Sequence, residues 1–168
     1  MLSVRELKEL TSKLDVAALG RQLGPFVLVQ RPMLADPNRS TTLTTRPLAD
    51  PTKPATSRGV FDFEDLWVVT LPPMGSRDSF VLGRSPDCDL VIDEDTVSKQ
   101  HARIDWSNGV AQLSDLASVN GTFVNRVKLR GGMQKLVDND LITLGSVEVF
   151  FMVVATLRRR MGITSSDR

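Results

Sequence analysis

The stretch SFVLGRSPDCDLVIDEDTVSKQHARIDWSNGVAQLSDLASVNGTFVN, residues 79–125, alternates short apolar runs with turn-forming residues. The turn residues include Pro86-Asp87, Asn108-Gly109 and Asn120-Gly121. Closely spaced short strands with no helical periodicity between them are typical of an antiparallel β-sandwich. The sequence therefore predicts an all-β fold.

The same pattern continues on both sides of this stretch, so we place the β-framework in residues 61–155. The predicted strands are Leu66–Leu71, Ser79–Leu82, Leu90–Ile92, Ala102–Trp106, Val110–Asp115, Thr122–Val124, Val127–Leu129, Leu141–Leu144 and Val147–Val154. The first and the last of these are apolar on both alternating faces, which requires cover on both faces of the sheet. We expect an amino-terminal helix, or the stretch Pro25–Val29, to pack on their outer side.

The flanking segments have a different composition. Leucines and alanines recur at helical spacing over residues 3–19, where Ser3 and Glu6 form a capping-box pattern. Prolines and threonines dominate the following segment, which predicts an irregular linker. The predicted order is an N-terminal helical segment, a Pro/Thr-rich linker, the β-framework and a basic tail, at residues 1–30, 31–60, 61–155 and 156–168.

Composition restricts the chemistry that the chain can perform. It has 168 residues with one cysteine and one histidine, so an intramolecular disulfide is excluded and a protein-built zinc site is disfavoured. The sequence shows no P-loop and no dinucleotide-binding glycine motif, and no triad pattern accompanies His101. We therefore expect no enzymatic activity, no cofactor and no metal.

Charge is distributed unevenly along the chain. Residues 61–155 hold eight basic and fourteen acidic side chains, whereas both flanking segments are net basic. An acidic framework is a poor match for nucleic acid, whose phosphates attract basic surfaces. The amino terminus is charged where a signal peptide is apolar, and the longest apolar run, Val149–Ala155, is far too short to cross a bilayer. We expect a cytoplasmic protein that does not insert into a membrane.

Three short motifs follow one another on the framework. Gly83-Arg84-Ser85 ends one strand, Ser98-Lys99-Gln100-His101 begins another, and the segment 118–125 (SVNGTFVN) joins two more. With DLVI at 89–92 and DLITLG at 140–145, this order resembles the forkhead-associated (FHA) domain, a phosphothreonine-recognition module. The resemblance covers residues 61–155 and implies an FHA-type antiparallel β-sandwich.

The resemblance also implies roles for individual residues. Arg84 and Ser98 would bind the phosphate, Lys99 the phosphate or the peptide, and Asn120 the peptide backbone. A phosphothreonine carries about −1.5 to −2 charges and three acceptor oxygens, which suit a guanidinium fork and a hydroxyl donor. The expected phosphopeptide-binding residues are Arg84, Ser98, Lys99, Ser118, Val119 and Asn120. Residues expected to shape the binding loops are Gly83, His101 and Gly121.

Simpler alternatives exist for several of these residues. Arg84 could form an ion pair with a neighbouring aspartate, for which the candidates are Asp87, Asp89 and Asp93. Ser98 could cap a turn, and Lys99 could be a solvated surface lysine. Val119 stands where many FHA domains carry Thr, Arg or Lys, so only main-chain contacts are expected there.

The leading interpretation is a phosphothreonine-dependent adaptor in Ser/Thr kinase signalling, whose partner is a phosphothreonine-containing protein such as a kinase or its substrate. The alternative is a phospho-independent scaffold that uses the fold and the amino-terminal segment. A further hypothesis is self-association through a phosphorylated linker, because tethering gives a high effective concentration. The candidate phosphosites are Thr41, Thr42, Thr44 and Thr45. Unchanged affinity for an external phosphopeptide after kinase treatment would argue against self-binding.

Overall fold

The computed structural model of the chain describes residues 2–11, 23–30, 66–69 and 78–162. Its elements comprise twelve strands and two helices within these ranges. They are β1 (Leu2–Ser3), α1 (Val4–Thr11), β2 (Phe26–Gln30), β3 (Trp67–Val69), β4 (Ser79–Gly83), β5 (Leu90–Val91), β6 (Ala102–Ser107), β7 (Val110–Asp115), β8 (Thr122–Val124), β9 (Val127–Lys128), β10 (Met133–Lys135), β11 (Leu141–Leu144), β12 (Val147–Val153) and α2 (Val154–Arg160).

The strands form two sheets that pack against each other. One sheet has the order β1-β3-β2-β12-β11-β8-β9, and the other has the order β10-β7-β6-β4-β5. The predicted all-β sandwich is confirmed, with one departure from antiparallel pairing. The β4–β5 pair is parallel, because the connection 84–89 folds back along β4 before β5 begins.

The core between the sheets is centred on Phe26 of β2. Its ring centroid lies 4.9 Å from that of Phe151, 5.2 Å from that of Trp106 and 6.5 Å from that of Phe80. Phe151 belongs to the same sheet as Phe26, whereas Trp106 and Phe80 belong to the other. This aromatic cluster therefore joins the two sheets, since each large ring contributes apolar area that neither sheet could bury alone.

The expectation that Pro25–Val29 covers the outside of the sheet is wrong. Residues 26–30 form a strand between β3 and β12. Phe26 and Leu28 face the core between the sheets, whereas Val27 and Val29 face the opposite side. Both alternating faces are apolar because this strand is covered on both sides.

Both helices pack on the outer face of the larger sheet. Val4 and Leu7 of α1 and Leu157 of α2 are buried together with strand residues that include Val29 and Met152. The sequence places α1 within residues 3–19; the structure places it at Val4–Thr11, and residues 12–22 lie outside the described ranges.

The capping box at the start of α1 is confirmed. Ser3 N–H donates to Glu6 Oε2 at 2.8 Å, and Glu6 N–H donates to Ser3 Oγ at 3.2 Å. These two bonds satisfy backbone donors that have no partner inside the helix. The bond from Ser3 N–H, together with a second bond from Ser3 Oγ to Glu6 Oε2 at 2.9 Å, holds the pKa of Glu6 below its usual value.

The three consecutive arginines, Arg158–Arg160, lie in helix α2, which extends into the segment predicted as a basic tail. Val154, Leu157 and Met161 are buried at helical spacing on the outer face of the sheet. The Asp138 carboxylate accepts hydrogen bonds from Val153 N at 2.8 Å and from Thr156 Oγ1 at 2.6 Å, which fixes the start of the helix. None of the described helices is long and apolar enough to span a bilayer.

Candidate functional site

Loops of the smaller sheet converge where β4 and β7 end and β6 begins. They are residues 84–89, 92–101 and 116–121. Arg84 N–H donates to Ser98 O and Ser85 N–H donates to Lys99 O, both at 2.9 Å, which joins the first loop to the second. Val119 N–H donates to Ser98 Oγ at 3.0 Å, which joins the third. The structure therefore brings the three sequence motifs to one place.

Gly83 lies at the closest approach of the first two loops. A Cβ on Gly83 would collide with the backbone carbonyl of Lys99 and would lie 3.0 Å from Cys88 Sγ. The absence of a side chain thus allows the two backbones to approach. Cys88 is buried and its thiol donates to the same carbonyl, Lys99 O, at 3.1 Å. Burial raises the pKa of this thiol, which disfavours the nucleophilic thiolate.

One nitrogen of the Arg84 guanidinium is hydrogen-bonded to the backbone of the second loop. Its Nε–H donates to Val97 O at 3.3 Å, and its side chain is 41% exposed. Among the residues that the structure describes, Arg84 does not pair with Asp87, Asp89 or Asp93; it lies within ion-pair distance of Asp95, at 4.0 Å from Nη1. Asp95 is 93% exposed, so this pair contributes about 0–1 kcal/mol. The arginine charge is therefore available at the surface.

His101 ties the second loop to the third from beneath. It is fully buried, its Nδ1 accepts a hydrogen bond from Ser98 N–H at 3.0 Å, and its Nε2 lies 3.2 Å from Gly121 O. Because Nδ1 accepts, Nε2 carries the proton and donates to the carbonyl. The neutral imidazole thus satisfies one backbone group of each loop.

Asn120 links the same two loops at the surface. Its Nδ2–H donates to Thr96 O at 2.7 Å. Thr96 Oγ1 accepts from Ser146 N–H at 2.9 Å and lies 2.8 Å from Ser146 Oγ. A Cβ on Gly145 would also collide with Thr96 O. Thr96 is thus a positioning residue that the sequence motifs do not reveal, because its partners are distant in the chain.

Ser118 contacts the framework through Asp115. Its hydroxyl donates to Asp115 Oδ1 at 2.5 Å and its N–H donates to Oδ2 at 3.0 Å. Thr122 Oγ1 also donates to Asp115 Oδ1, at 2.6 Å. Burial acts to raise the pKa of Asp115, but these hydrogen bonds outweigh it and hold the pKa below its usual value. Asp115 therefore anchors both ends of the third loop.

Asp115 makes the stability of the domain depend on pH. A carboxyl whose pKa is depressed by folding stabilises the native state above its unfolded pKa, and this contribution is lost as pH falls through the folded value. We expect Asp115→Asn to lower the free energy of unfolding at pH 7 by about 1–2 kcal/mol, since a neutral acceptor replaces a charged one. Urea titrations at pH 7, 4 and 3 measure the free energy of unfolding. As the pH falls from 7 to 3, this free energy should decrease less in the variant than in the wild type. Equal losses would contradict this role.

Lys99 and Val119 complete the surface of the site. Val119 is 87% exposed, and the Lys99 side chain is exposed with no hydrogen bond or ion pair to any residue that the structure describes. No three metal-binding side chains converge within the described ranges. The candidate phosphosites Thr41, Thr42, Thr44 and Thr45 lie outside the described residues.

Comparison with known proteins finds bacterial relatives that match part of the chain. An oxoglutarate dehydrogenase inhibitor of Corynebacterium jeikeium is 32% identical over 105 residues, which are 59% of this chain and 72% of that protein. The glycogen accumulation regulator GarA of Mycolicibacterium smegmatis is 36% identical over 70 residues, 42% of this chain and 43% of GarA. An ABC transporter ATP-binding/permease protein of Mycobacterium tuberculosis is 37% identical over 90 residues, 54% of this chain. The chain spans a tenth of that transporter and under half of GarA.

The profile of one domain family matches the part of the chain that carries the site. The FHA-domain profile covers residues 80–145, which contain all three convergent loops. The match to the Corynebacterium jeikeium inhibitor extends over most of that protein. The chain therefore belongs to the family of FHA-domain proteins.

Proposed function

We propose that this domain binds a phosphothreonine-containing segment of another protein at the junction of the three loops. The observation that carries the proposal is the placement of Arg84 beside Ser98, with Val119 bonded to Ser98 Oγ and Asn120 bonded to Thr96 O of the same loop. A guanidinium, a hydroxyl and an exposed ammonium (Lys99) then surround one small area of surface. This set matches a dianionic group with three acceptor oxygens.

The donors fit a phosphate without rearrangement of the loops. Ser98 Oγ accepts a hydrogen bond from Val119, which leaves the hydroxyl proton of Ser98 to donate to a ligand. Arg84 uses Nε on the protein and keeps its terminal nitrogens at the surface. Charge-assisted hydrogen bonds contribute about 1.5–3 kcal/mol each. Two or three of them, with main-chain contacts, account for micromolar affinity, about −8 kcal/mol.

In this proposal the remaining predicted residues position the binding groups. Gly83 permits the close approach of Arg84 to the second loop, and His101 and Gly121 hold the second and third loops together. Ser118 orders the third loop through Asp115 and does not need to touch the ligand.

We further propose that the protein is a non-catalytic adaptor that acts in the cytoplasm on a Ser/Thr kinase or its substrate. Two of its relatives are named as a regulator and as an inhibitor of metabolism, which supports a regulatory role. The assignment of residues 61–155 to the binding domain and self-association through residues 31–60 stay predictions from the sequence.

The test is titration of a degenerate phosphothreonine peptide library against the full chain, with the unphosphorylated library and a phosphoserine library in parallel. We expect micromolar binding to the phosphothreonine library and at least tenfold weaker binding to the unphosphorylated one. Equal binding to both would support the phospho-independent scaffold instead. Binding to neither, by protein whose circular dichroism shows folded β-structure, would overturn the proposal.

A further inference from the structure

The proposed phosphate site lies between a basic and an acidic part of the chain. Residues 116–137 contain four basic and no acidic side chains. Residues 85–98 contain five acidic and no basic side chains. The basic part comprises the third loop and strands β8, β9 and β10, whereas the acidic part comprises most of the first two loops. A bound peptide would therefore meet opposite charges on the two sides of its phosphothreonine.

The β8–β9 hairpin brings Lys128 to the edge of this site. Strand β9 runs antiparallel to β8, with Lys128 opposite Phe123, and Leu129 N–H donates to Thr122 O at 2.9 Å. This register places Lys128 two residues along the hairpin from Gly121, a distance that its long side chain can span. A Cβ on Gly121 would lie 3.0 Å from Lys128 Nζ, so the lysine side chain covers this glycine.

The Lys128 ammonium is positioned but not neutralised. It lies 5.9 Å from the centroid of the Phe123 ring, a cation–π contact worth about 0.5–1 kcal/mol at an exposed site. Within the described ranges, Lys128 forms no ion pair with a carboxylate. Its side chain is exposed, and Arg130, two residues further along, is exposed as well. Two cations thus stand beside the loop that carries Asn120.

The opposite side of the site repels acidic groups. Asp93 and Asp95 are both exposed, and Asp95 stands near the Arg84 guanidinium. Charges separated by less than a Debye length of about 8–10 Å act on a ligand without full screening. Acidic side chains of a peptide therefore strengthen its binding next to Lys128 and weaken its binding next to Asp95.

We propose that Lys128 is a specificity-determining residue that selects phosphothreonine peptides with acidic side chains on one flank only. This inference rests on the proposed phosphothreonine binding and defines the substrate class of that site. The ligand is an acidic phosphopeptide segment whose carboxylates lie against Lys128 and Arg130.

The test uses phosphothreonine peptides that differ only in the flanks: alanine on both sides, three glutamates before the phosphothreonine, or three glutamates after it. At low salt, we expect the wild type to bind one of the two glutamate peptides about fivefold more tightly than the alanine peptide. A difference of about fivefold lies in the range of free energies that an exposed ion pair contributes. Lys128→Gln should reduce this preference below twofold, while its affinity for the alanine peptide changes less. Added salt should weaken the wild-type preference.

Arg126→Gln is the matched control. Arg126 lies on the same hairpin but in its turn, at the end of β8 remote from Gly121, so its removal deletes the same charge and should leave the preference intact. Failure of every phosphopeptide to bind would refute the proposed function itself. Binding with equal affinity for all three flanks, or a preference that survives Lys128→Gln, would refute only the role of Lys128.

Discussion

Arg84→Ala is expected to weaken binding of a phosphothreonine peptide by about 30–100-fold, the equivalent of one or two charge-assisted hydrogen bonds. The guanidinium is fixed through Nε to Val97 O, and the side chain is 41% exposed beside the loop that carries Ser98 and Lys99. Stability should change by less than about 1 kcal/mol, because the backbone bond to Ser98 persists and the pair with Asp95 is exposed. Isothermal titration calorimetry and urea denaturation measure the two quantities separately.

Arg84→Lys and Arg103→Ala make this experiment decisive. A lysine keeps the charge but loses the planar fork, so we expect an intermediate affinity. Arg103 lies on β6, is similarly exposed and pairs with Asp105 at 3.0 Å, so its loss removes a charge away from the three loops. A weakening of equal size in Arg84→Ala and Arg103→Ala would show that general charge, and not the loop site, governs binding.

His101→Ala is expected to have the largest effect on stability, about 3–5 kcal/mol. The substitution leaves a cavity in place of a fully buried ring and leaves Ser98 N–H and Gly121 O without their partner. Both loops should then loosen, so phosphopeptide affinity should fall although the imidazole does not reach the ligand surface. The measurement is chemical denaturation together with amide hydrogen exchange of residues 98 and 121.

His101→Gln tests whether hydrogen bonding or volume accounts for the effect. A glutamine can donate and accept at once, so we expect it to restore part of the stability that the alanine variant loses. Rapid exchange confined to the two loops, in a variant with an intact core, would support the bridging role of His101. A stability within 1 kcal/mol of the wild type in His101→Ala would contradict it.

The sequence indicates which loops lie together better than it predicts how the strands pair. Gly83, Arg84 and Ser98 stand in short motifs next to strand ends, so their convergence follows once the strands are recognised. Asp115 and Thr96 carry no such signal, because their importance arises from hydrogen bonds across loops that only the fold brings together. Local pattern reveals which residues a loop contains but not which distant group anchors it.

Local sequence pattern likewise does not predict where helix α2 begins, where strand β10 lies or which strands β2 pairs with. Val149–Val154 is continuously apolar, so the change from strand to helix at Val154 leaves no mark in the alternation; the external acceptor, Asp138, fixes the start of the helix. The three residues of β10 are all exposed and show no alternation, which explains why this strand is not predicted. Phe26–Gln30 has the composition of a buried strand, but its place beside β12 depends on a pairing with residues more than a hundred positions away.

The insertion of β2 between β3 and β12 also governs the order in which the molecule can assemble. As the chain is synthesised, Val153, which lies opposite Phe26 in the paired strand β12, emerges more than a hundred residues after Phe26. Until then the ring of Phe26 lacks its contact with Phe151. Contacts so distant in sequence slow folding, because the entropy of closing the intervening chain is lost before any stabilising contact forms. The nascent protein therefore exposes an apolar strand with open hydrogen-bonding edges until β12 has been made.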